Sequence, residues 1–112
     1  MREIKFRGWS ISNKKWVYGH YQIRTTRRDE KHTWIYGDLA SGWWVESDSV
    51  GQFSGLVDAF GREIYEGDIL YLEGSGDCLI EFPFIDLYDA MPNGGVGEVK
   101  GNIYETDELI NE

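Results

Sequence analysis

Residues 50–80 read VGQFSGLVDAFGREIYEGDILYLEGSGDCLI, a series of short apolar runs separated by glycine. Residues 58–61, Asp-Ala-Phe-Gly, predict a turn, because Asp hydrogen-bonds its own backbone and Gly accepts a positive φ. Residues 69–72 are a compact apolar strand that ends at the Gly-Ser-Gly of residues 74–76. Residues 78–82 follow as its partner strand. The stretch therefore predicts an antiparallel hairpin at the centre of a small β domain.

This hairpin is expected to be central to the stability of the fold. Its apolar side chains should be buried, and a buried leucine replaced by alanine typically costs about 2–5 kcal/mol. We therefore expect Leu79→Ala and Ile80→Ala each to lower the melting temperature. The apolar residues concerned are Ile69, Leu70, Leu72, Leu79 and Ile80.

The chain on either side of this hairpin has the same character of strands and turns. Residues 4–7 alternate apolar and basic side chains, and residues 16–24 return as the second strand of an N-terminal hairpin. Residues 33–36 and 99–104 are further short strands. The repeated pattern, without helical spacing of apolar residues, predicts an all-β fold: a small antiparallel barrel or sandwich.

Two segments interrupt this pattern. Residues 83–97 contain two prolines and adjacent glycines and predict a long loop with one helical turn at residues 85–90. Thr106 is a good N-cap, so a short C-terminal helical turn is also expected. With 112 residues, the chain has the length of one domain, which we expect to span residues 1–112.

Three motifs occur in order along the chain: IKFRGWSISNKKWVYG at residues 4–19, GQFSGLVDAFGREIYEGDIL at 51–70, and GNIYETDELI at 101–110. Together they resemble the YopX-like family of phage and prophage proteins. The resemblance implies a phage origin and a mostly β fold, but it brings no established activity and no functional residues. The chain departs from the family pattern at residues 24–49 and 83–97, where any role particular to this member is expected.

The composition is that of a globular cytoplasmic protein. Apolar residues make up 41% and aromatic residues 15% of the chain, which fits a β domain with a core. No run approaches the roughly 18 consecutive apolar residues of a membrane span, and the N-terminus lacks the apolar region of a signal peptide. Cys78 is the single cysteine, which is consistent with the reducing cytoplasm of a bacterial host.

The charge is divided unevenly along the chain. Residues 1–36 hold nine Lys/Arg and three Asp/Glu, a net charge of +6, whereas residues 37–112 hold two and seventeen, a net charge of −15. The division allows internal complementarity, an acidic face for a basic partner, or head-to-tail contact between copies. For self-association, residues 4–7 would serve as an edge strand with unpaired backbone groups.

Residues suited to catalysis or metal binding are sparse or otherwise explained. His20 and His32 are the two histidines, and neither lies in a catalytic motif. With one cysteine they do not supply the four ligands of a zinc site. Asp58 and Asp68 lie close to glycines, where turn formation explains them better than metal binding. We therefore expect a non-enzymatic protein with no catalytic residue, cofactor or metal.

The high proportion of aromatic residues indicates that the protein binds another protein. Trp, Tyr and Arg are enriched at the hot spots of protein interfaces, so we interpret the chain as a protein-interaction or regulatory module with a phage or host partner. If Trp43 and Trp44 lie on one strand, they point to opposite faces and one should be partly exposed. The candidate interaction surface consists of Trp9, Trp16, Tyr18, Trp43 and Trp44.

Two alternatives involve nucleic acid. The basic, aromatic N-terminal hairpin would bind a single strand by stacking, whereas the acidic residues 37–112 would imitate a phosphate backbone and occupy a DNA-binding protein. The sequence pI near 4.6 argues against specific binding of DNA or RNA at physiological salt.

Overall fold

The computed structural model describes residues 3–25, 28–37 and 42–104. Within these residues the chain is strand-dominated, with nine strands, one short helix and one 3₁₀ turn at Ser47–Ser49. The strands are β1 (Phe6–Ser10), β2 (Lys15–Thr25), β3 (Lys31–Tyr36), β4 (Gly42–Val45), β5 (Gly51–Val57), β6 (Glu63–Tyr65), β7 (Asp68–Leu72), β8 (Gly76–Leu79) and β9 (Glu98–Asn102). The helix, α1, spans Ile85–Ala90.

The expected fold class is confirmed. The strand pairings described are antiparallel, and the helical turn expected at residues 85–90 is α1. The described strands form two sheets, ordered β4-β3-β2-β1-β5-β6 and β8-β7-β9, and each runs linearly from one edge strand to the other without closing into a barrel. The expected C-terminal helical turn lies outside the described residues.

Two compact units make up the chain. One is Ile4–Gln52, which we call the N-terminal unit, and the other combines Met1–Glu3 with Phe53–Glu112 and is called the C-terminal unit. The expectation of one domain over residues 1–112 stays a prediction.

β2 organises the N-terminal unit, because it pairs with β1 over its first half and with β3 over its second half. Gly19 is the last residue of β2 opposite β1, and His20 is the first opposite β3. A β-carbon on Gly19 would overlap the carbonyl oxygen of Tyr36. Glycine at this position is therefore what allows the end of β3 to lie against β2.

The core of the N-terminal unit lies on one face of these strands. Val17, Ile35 and Val45 form it, and Phe6, Trp43 and Val50 pack against it. A backbone hydrogen bond connects the residues after β4 to β1: the Glu46 N–H donates to the Trp9 carbonyl oxygen at 2.9 Å.

β1 is an internal strand of its sheet. Phe6 and Arg7 pair with β2 on one side and with Gly51 and Gln52 of β5 on the other. The expectation that residues 4–7 form a free edge strand is therefore wrong, since β5 covers that edge.

The C-terminal unit contains the sheet β8-β7-β9 and the pair β5–β6. Leu70 of the central strand β7 is fully buried. Helix α1 is held against β5 by a hydrogen bond from the Tyr88 hydroxyl to the Ser54 carbonyl oxygen at 2.6 Å. The buried core residues are Leu56, Ile64, Leu70, Ile80, Phe84, Leu87 and Met91.

Gly19→Ala is predicted to destabilise the protein more than glycine replacement in an open turn. The added methyl group would have to displace backbone of β3, and overpacking of this kind costs about 1–3 kcal/mol. Urea unfolding followed by circular dichroism measures the loss. Gly74→Ala is the matched control, because Gly74 has φ +88° but no atom within 4 Å of the added carbon. An equal or smaller loss for Gly19→Ala would refute the steric role of Gly19.

The two neighbouring residues at the end of β8 are predicted to differ in their contribution to stability. Ile80 is 5% exposed and belongs to the core, whereas Leu79 is 47% exposed, which contradicts the expectation that Leu79→Ala lowers the melting temperature. Ile80→Ala should lower the free energy of unfolding by about 2–5 kcal/mol. Leu79→Ala should change it by no more than about 0.5 kcal/mol. Urea unfolding of both variants checks this, and similar losses in the two would contradict the assigned burial.

Candidate functional site

One face of β2, β3 and β4 carries aromatic and basic side chains in register. Gln22, Trp34 and Trp44 lie side by side across the three strands, and His20 and Tyr36 form the next row. Because directly paired residues point to the same face of a sheet, the side chains form one surface. We call this surface the aromatic face; its members are His20, Gln22, Arg24, His32, Trp34, Tyr36 and Trp44.

The side chains of the aromatic face contact one another. The rings of Trp34 and Tyr36 stack with centroids 6.3 Å apart, and those of His32 and Trp44 meet edge to face at 4.5 Å. Arg24 Nη1 donates a hydrogen bond of 3.0 Å to the Tyr36 hydroxyl. These contacts orient the rings.

Gly42 makes room for one of these rings. It lies opposite Tyr36 in the β3–β4 pair, and a β-carbon there would be 2.7 Å from Tyr36 Cε1. The tyrosine ring therefore lies across the glycine, where it replaces the missing side chain in covering the backbone.

Solvent reaches much of the aromatic face. Trp44 is 54% exposed, and His32, Trp34 and Tyr36 are half-buried. Exposed Trp is unusual, because burying an aromatic ring removes 150–250 Å² (a typical, approximate range) from water. A sheet face that leaves these rings accessible is suited to contact with another molecule.

Arg24 is the one Lys or Arg among the seven members of the aromatic face. Arg24 is exposed there, and His32 Nε2 lies 3.6 Å from a carboxylate oxygen of Glu30. The N-terminal unit as a whole holds eight Lys/Arg and five Asp/Glu, a net charge of +3, whereas the C-terminal unit holds three and fifteen, a net charge of −12. The charge asymmetry of the sequence thus follows the division into units.

The five aromatic residues expected to form the interaction surface are placed in different environments. Trp9 is 7% exposed and belongs to the interior, and Trp43 packs against the core on the face opposite Trp44. Trp16 is half-buried, with the Arg7 guanidinium 4.8 Å from its ring centroid. Tyr18 and Trp44 are exposed. The expected partial exposure of one residue of the Trp43–Trp44 pair is confirmed.

Sequence reasoning missed Trp34 and Tyr36 as members of the surface. The signal was present in Lys31–Tyr36, where Thr33 and Ile35 are buried and alternate with His32, Trp34 and Tyr36. That alternation places one histidine and two aromatic rings on the solvent side of a strand.

The residues considered for catalysis or metal binding do not converge. Among residues 3–25, 28–37 and 42–104, no three His, Cys, Asp or Glu side chains are grouped so as to hold a metal ion. Across the same residues, no helix has the length and apolar character needed to cross a membrane.

Asp58 and Asp68 stabilise the fold by accepting hydrogen bonds from backbone N–H groups. Asp58 Oδ1 accepts hydrogen bonds from the N–H groups of Phe60 and Arg62, and its Oδ2 accepts one from Val99, each at 2.9 Å. Asp68 Oδ2 accepts one from the Tyr65 N–H at 2.8 Å. Both carboxylates are 1% exposed and close turns between strands, which supports the interpretation of these residues as turn formers.

The ionisation of Asp58 follows from these contacts. Burial alone would raise the pKa of Asp58, but the hydrogen bonds from Val99, Arg62 and Phe60, with the charge of Arg62, outweigh it. The pKa of Asp58 therefore lies below its ordinary value of 3.8.

The fold and the exposed surface define a small strand-dominated protein with an aromatic face on a unit of positive net charge and an acidic second unit. The model of one family, described as YopX protein, matches residues 5–89. The chain belongs to this family. No curated protein and no solved structure shows significant similarity to it.

The match begins before β1 and ends within α1, so it includes the aromatic face and both buried aspartates. The third motif of the sequence, at residues 101–110, lies beyond the matched residues.

Asp58→Asn is predicted to destabilise the protein and to change its pH dependence. Because the folded pKa of Asp58 is lowered, its contribution to stability is complete above the unfolded pKa and is lost as the pH falls through the folded pKa. At neutral pH the variant should lose about 1–3 kcal/mol, since the amide group cannot accept all three hydrogen bonds. Urea unfolding between neutral pH and about pH 3 measures both effects.

Asp77→Asn is the matched control, because Asp77 is exposed on β8. If Asp58→Asn kept the full loss of stability in acid, or cost no more than Asp77→Asn, the role assigned to Asp58 would be incorrect.

Proposed function

We propose that this protein is a non-enzymatic protein-interaction or regulatory module, encoded by a phage or prophage and acting in the cytoplasm of the bacterial host. The aromatic face binds a phage or host protein. The observation that supports this is the register of Trp34 and Trp44 on adjacent strands, with Trp44 more than half exposed.

The chemistry of the face indicates the kind of partner. Aromatic rings provide large contact area with little loss of side-chain entropy, and Trp and Arg dominate the binding energy of many interfaces. Arg24 and the net charge of +3 on the N-terminal unit favour a partner surface that carries carboxylates.

Binding of single-stranded nucleic acid is the second candidate for the same face. It is favoured by the stacked rings of Trp34 and Tyr36 beside Arg24, because bases stack on aromatic side chains while cations follow the phosphates. The −12 charge of the C-terminal unit would repel the phosphate backbone, so a protein partner is preferred. The same charge supports the other alternative, in which the acidic residues imitate DNA.

Self-association is a further candidate. The opposite charges of the units would support head-to-tail contact between copies. With residues 6–7 of β1 paired on both sides, such contact would depend on side chains rather than on pairing with that strand.

Trp44→Ala is predicted to weaken partner binding by at least about tenfold while leaving the fold intact. The ring is more than half exposed, so its removal should cost little stability. The immobilised full-length chain captures the partner from host extract, and titration of the purified partner then gives the dissociation constants. Phe60→Ala is the matched control, because Phe60 is exposed on the C-terminal unit. Equal affinities of wild type and Trp44→Ala for the purified partner would refute the proposal.

The same proteins are titrated with labelled single-stranded DNA and RNA at about 150 mM salt, where the Debye length is about 8 Å. We expect no sub-micromolar affinity. If the protein bound a single strand with sub-micromolar affinity and Trp44→Ala abolished this binding, the single-strand alternative would be established. If the captured partner were a DNA-binding protein and duplex DNA displaced it, imitation of DNA by the acidic residues would be established.

A further inference from the structure

A groove lies between β8 and helix α1 in the C-terminal unit. Its volume is about 450 Å³, and apolar side chains form most of its lining. Phe84 and Leu87 of the core form its buried floor. Leu79, Phe82 and Ile85 also line the groove and are 47%, 57% and 63% exposed. Three large apolar side chains exposed around one concave surface are characteristic of an interaction site.

The groove follows the free side of an edge strand. β8 lies at the edge of the sheet β8-β7-β9. Cys78 and Leu79 are adjacent and point to opposite faces of the strand, yet both line the groove. Leu72 of β7 and Ile80 also line the groove, on the face of the sheet that Cys78 shares, so the groove extends from that face to the free edge of β8.

The backbone of β8 presents hydrogen-bonding groups to this groove. The Ile80 N–H donates to the Asp68 carbonyl oxygen at 2.9 Å, and the Ile80 carbonyl oxygen accepts from Gly67 at 2.8 Å. Because backbone groups alternate in direction along an antiparallel strand, those of Leu79 are directed away from β7. They are placed to pair with an added strand.

The rim of the groove is acidic. Glu81 and Asp86 line it, and both are exposed. The basic residues in the described part of this unit are Arg62 and Lys100, and both make contacts at β9: Arg62 donates to a backbone carbonyl oxygen and Lys100 forms an ion pair with Glu98. The carboxylates of the rim are therefore complementary to a cationic ligand.

We propose that this groove binds an extended, basic peptide segment of another protein, which adds a strand to the edge of β8. One large apolar side chain of the segment enters the groove above Phe84 and Leu87, and flanking Lys or Arg side chains pair with Glu81 and Asp86. Addition of a strand to a sheet edge derives affinity from backbone hydrogen bonds and specificity from pockets for alternate side chains. This site goes beyond the proposed function, because it lies on the other unit and takes a partner of opposite charge.

The test uses the full-length protein and a short fluorescein-labelled peptide in which Leu and Phe alternate with Lys and Arg. Three matched peptides replace the basic residues with Glu, replace Leu and Phe with Ser, or carry N-methyl groups on the amides that would pair with β8. Anisotropy titrations should show saturable binding of the first peptide, and each replacement should raise the dissociation constant by about tenfold or more. Equal binding of the Glu or N-methyl peptide would overturn the proposal.

Variants of the protein locate the binding. Leu79→Ala and Ile85→Ala remove exposed side chains and should weaken binding of the basic peptide without loss of fold. Phe60→Ala and Trp44→Ala should bind it as wild type does, so failure here is distinguishable from failure of the aromatic face. Unchanged binding by Leu79→Ala and Ile85→Ala would place the peptide elsewhere and overturn the proposal. Light scattering that showed dimers lost in Leu79→Ala would also overturn it, since a second copy would then occupy the groove.

Discussion

The carboxylate of Asp58 joins parts of the C-terminal unit that are far apart in sequence. It accepts hydrogen bonds from the turn that follows β5 and from Val99 of β9, which lies 41 positions later. Because β9 pairs with β7 and β7 with β8, the edge that borders the apolar groove is reached through a chain of contacts that starts at this side chain. Asp58, at the centre of the second sequence motif, therefore has a structural role, because its carboxylate accepts backbone hydrogen bonds from two segments that are distant in sequence.

Local features of the fold were predictable from the sequence, and the environments of single side chains were not. The hairpins β1–β2 and β7–β8, the turn after β5 and helix α1 depend on neighbouring residues whose types indicate their conformation. The exposure of Leu79 beside the buried Ile80 depends on which side of β8 is covered, which is a tertiary property. For the same reason residue type alone does not separate the interior Trp9 from the exposed Trp44. The alternation of Trp34 with the buried Thr33 and Ile35 does indicate which face it occupies.

The two surfaces described have opposite chemical requirements. The aromatic face presents rings and a guanidinium on the more basic unit, whereas the groove presents apolar side chains within a rim of carboxylates. A partner suited to one surface is poorly suited to the other, because like charges at a contact raise the free energy of binding. The exposed side chains of both surfaces contribute little to the core and can change during evolution without loss of the fold, whereas Phe84 and Leu87 on the floor of the groove belong to the core.

The arrangement of strands in the N-terminal unit has a consequence for how the protein forms during synthesis. β1 to β4 pair in the order in which they occur in the chain, so their contacts close only short loops. β7 instead needs residues 98–102 as one of its neighbours, and Asp58 needs Val99. On the ribosome, the strands that carry the aromatic face can pair as soon as they emerge, whereas the sheet beside the groove is complete only when β9 has left the exit tunnel.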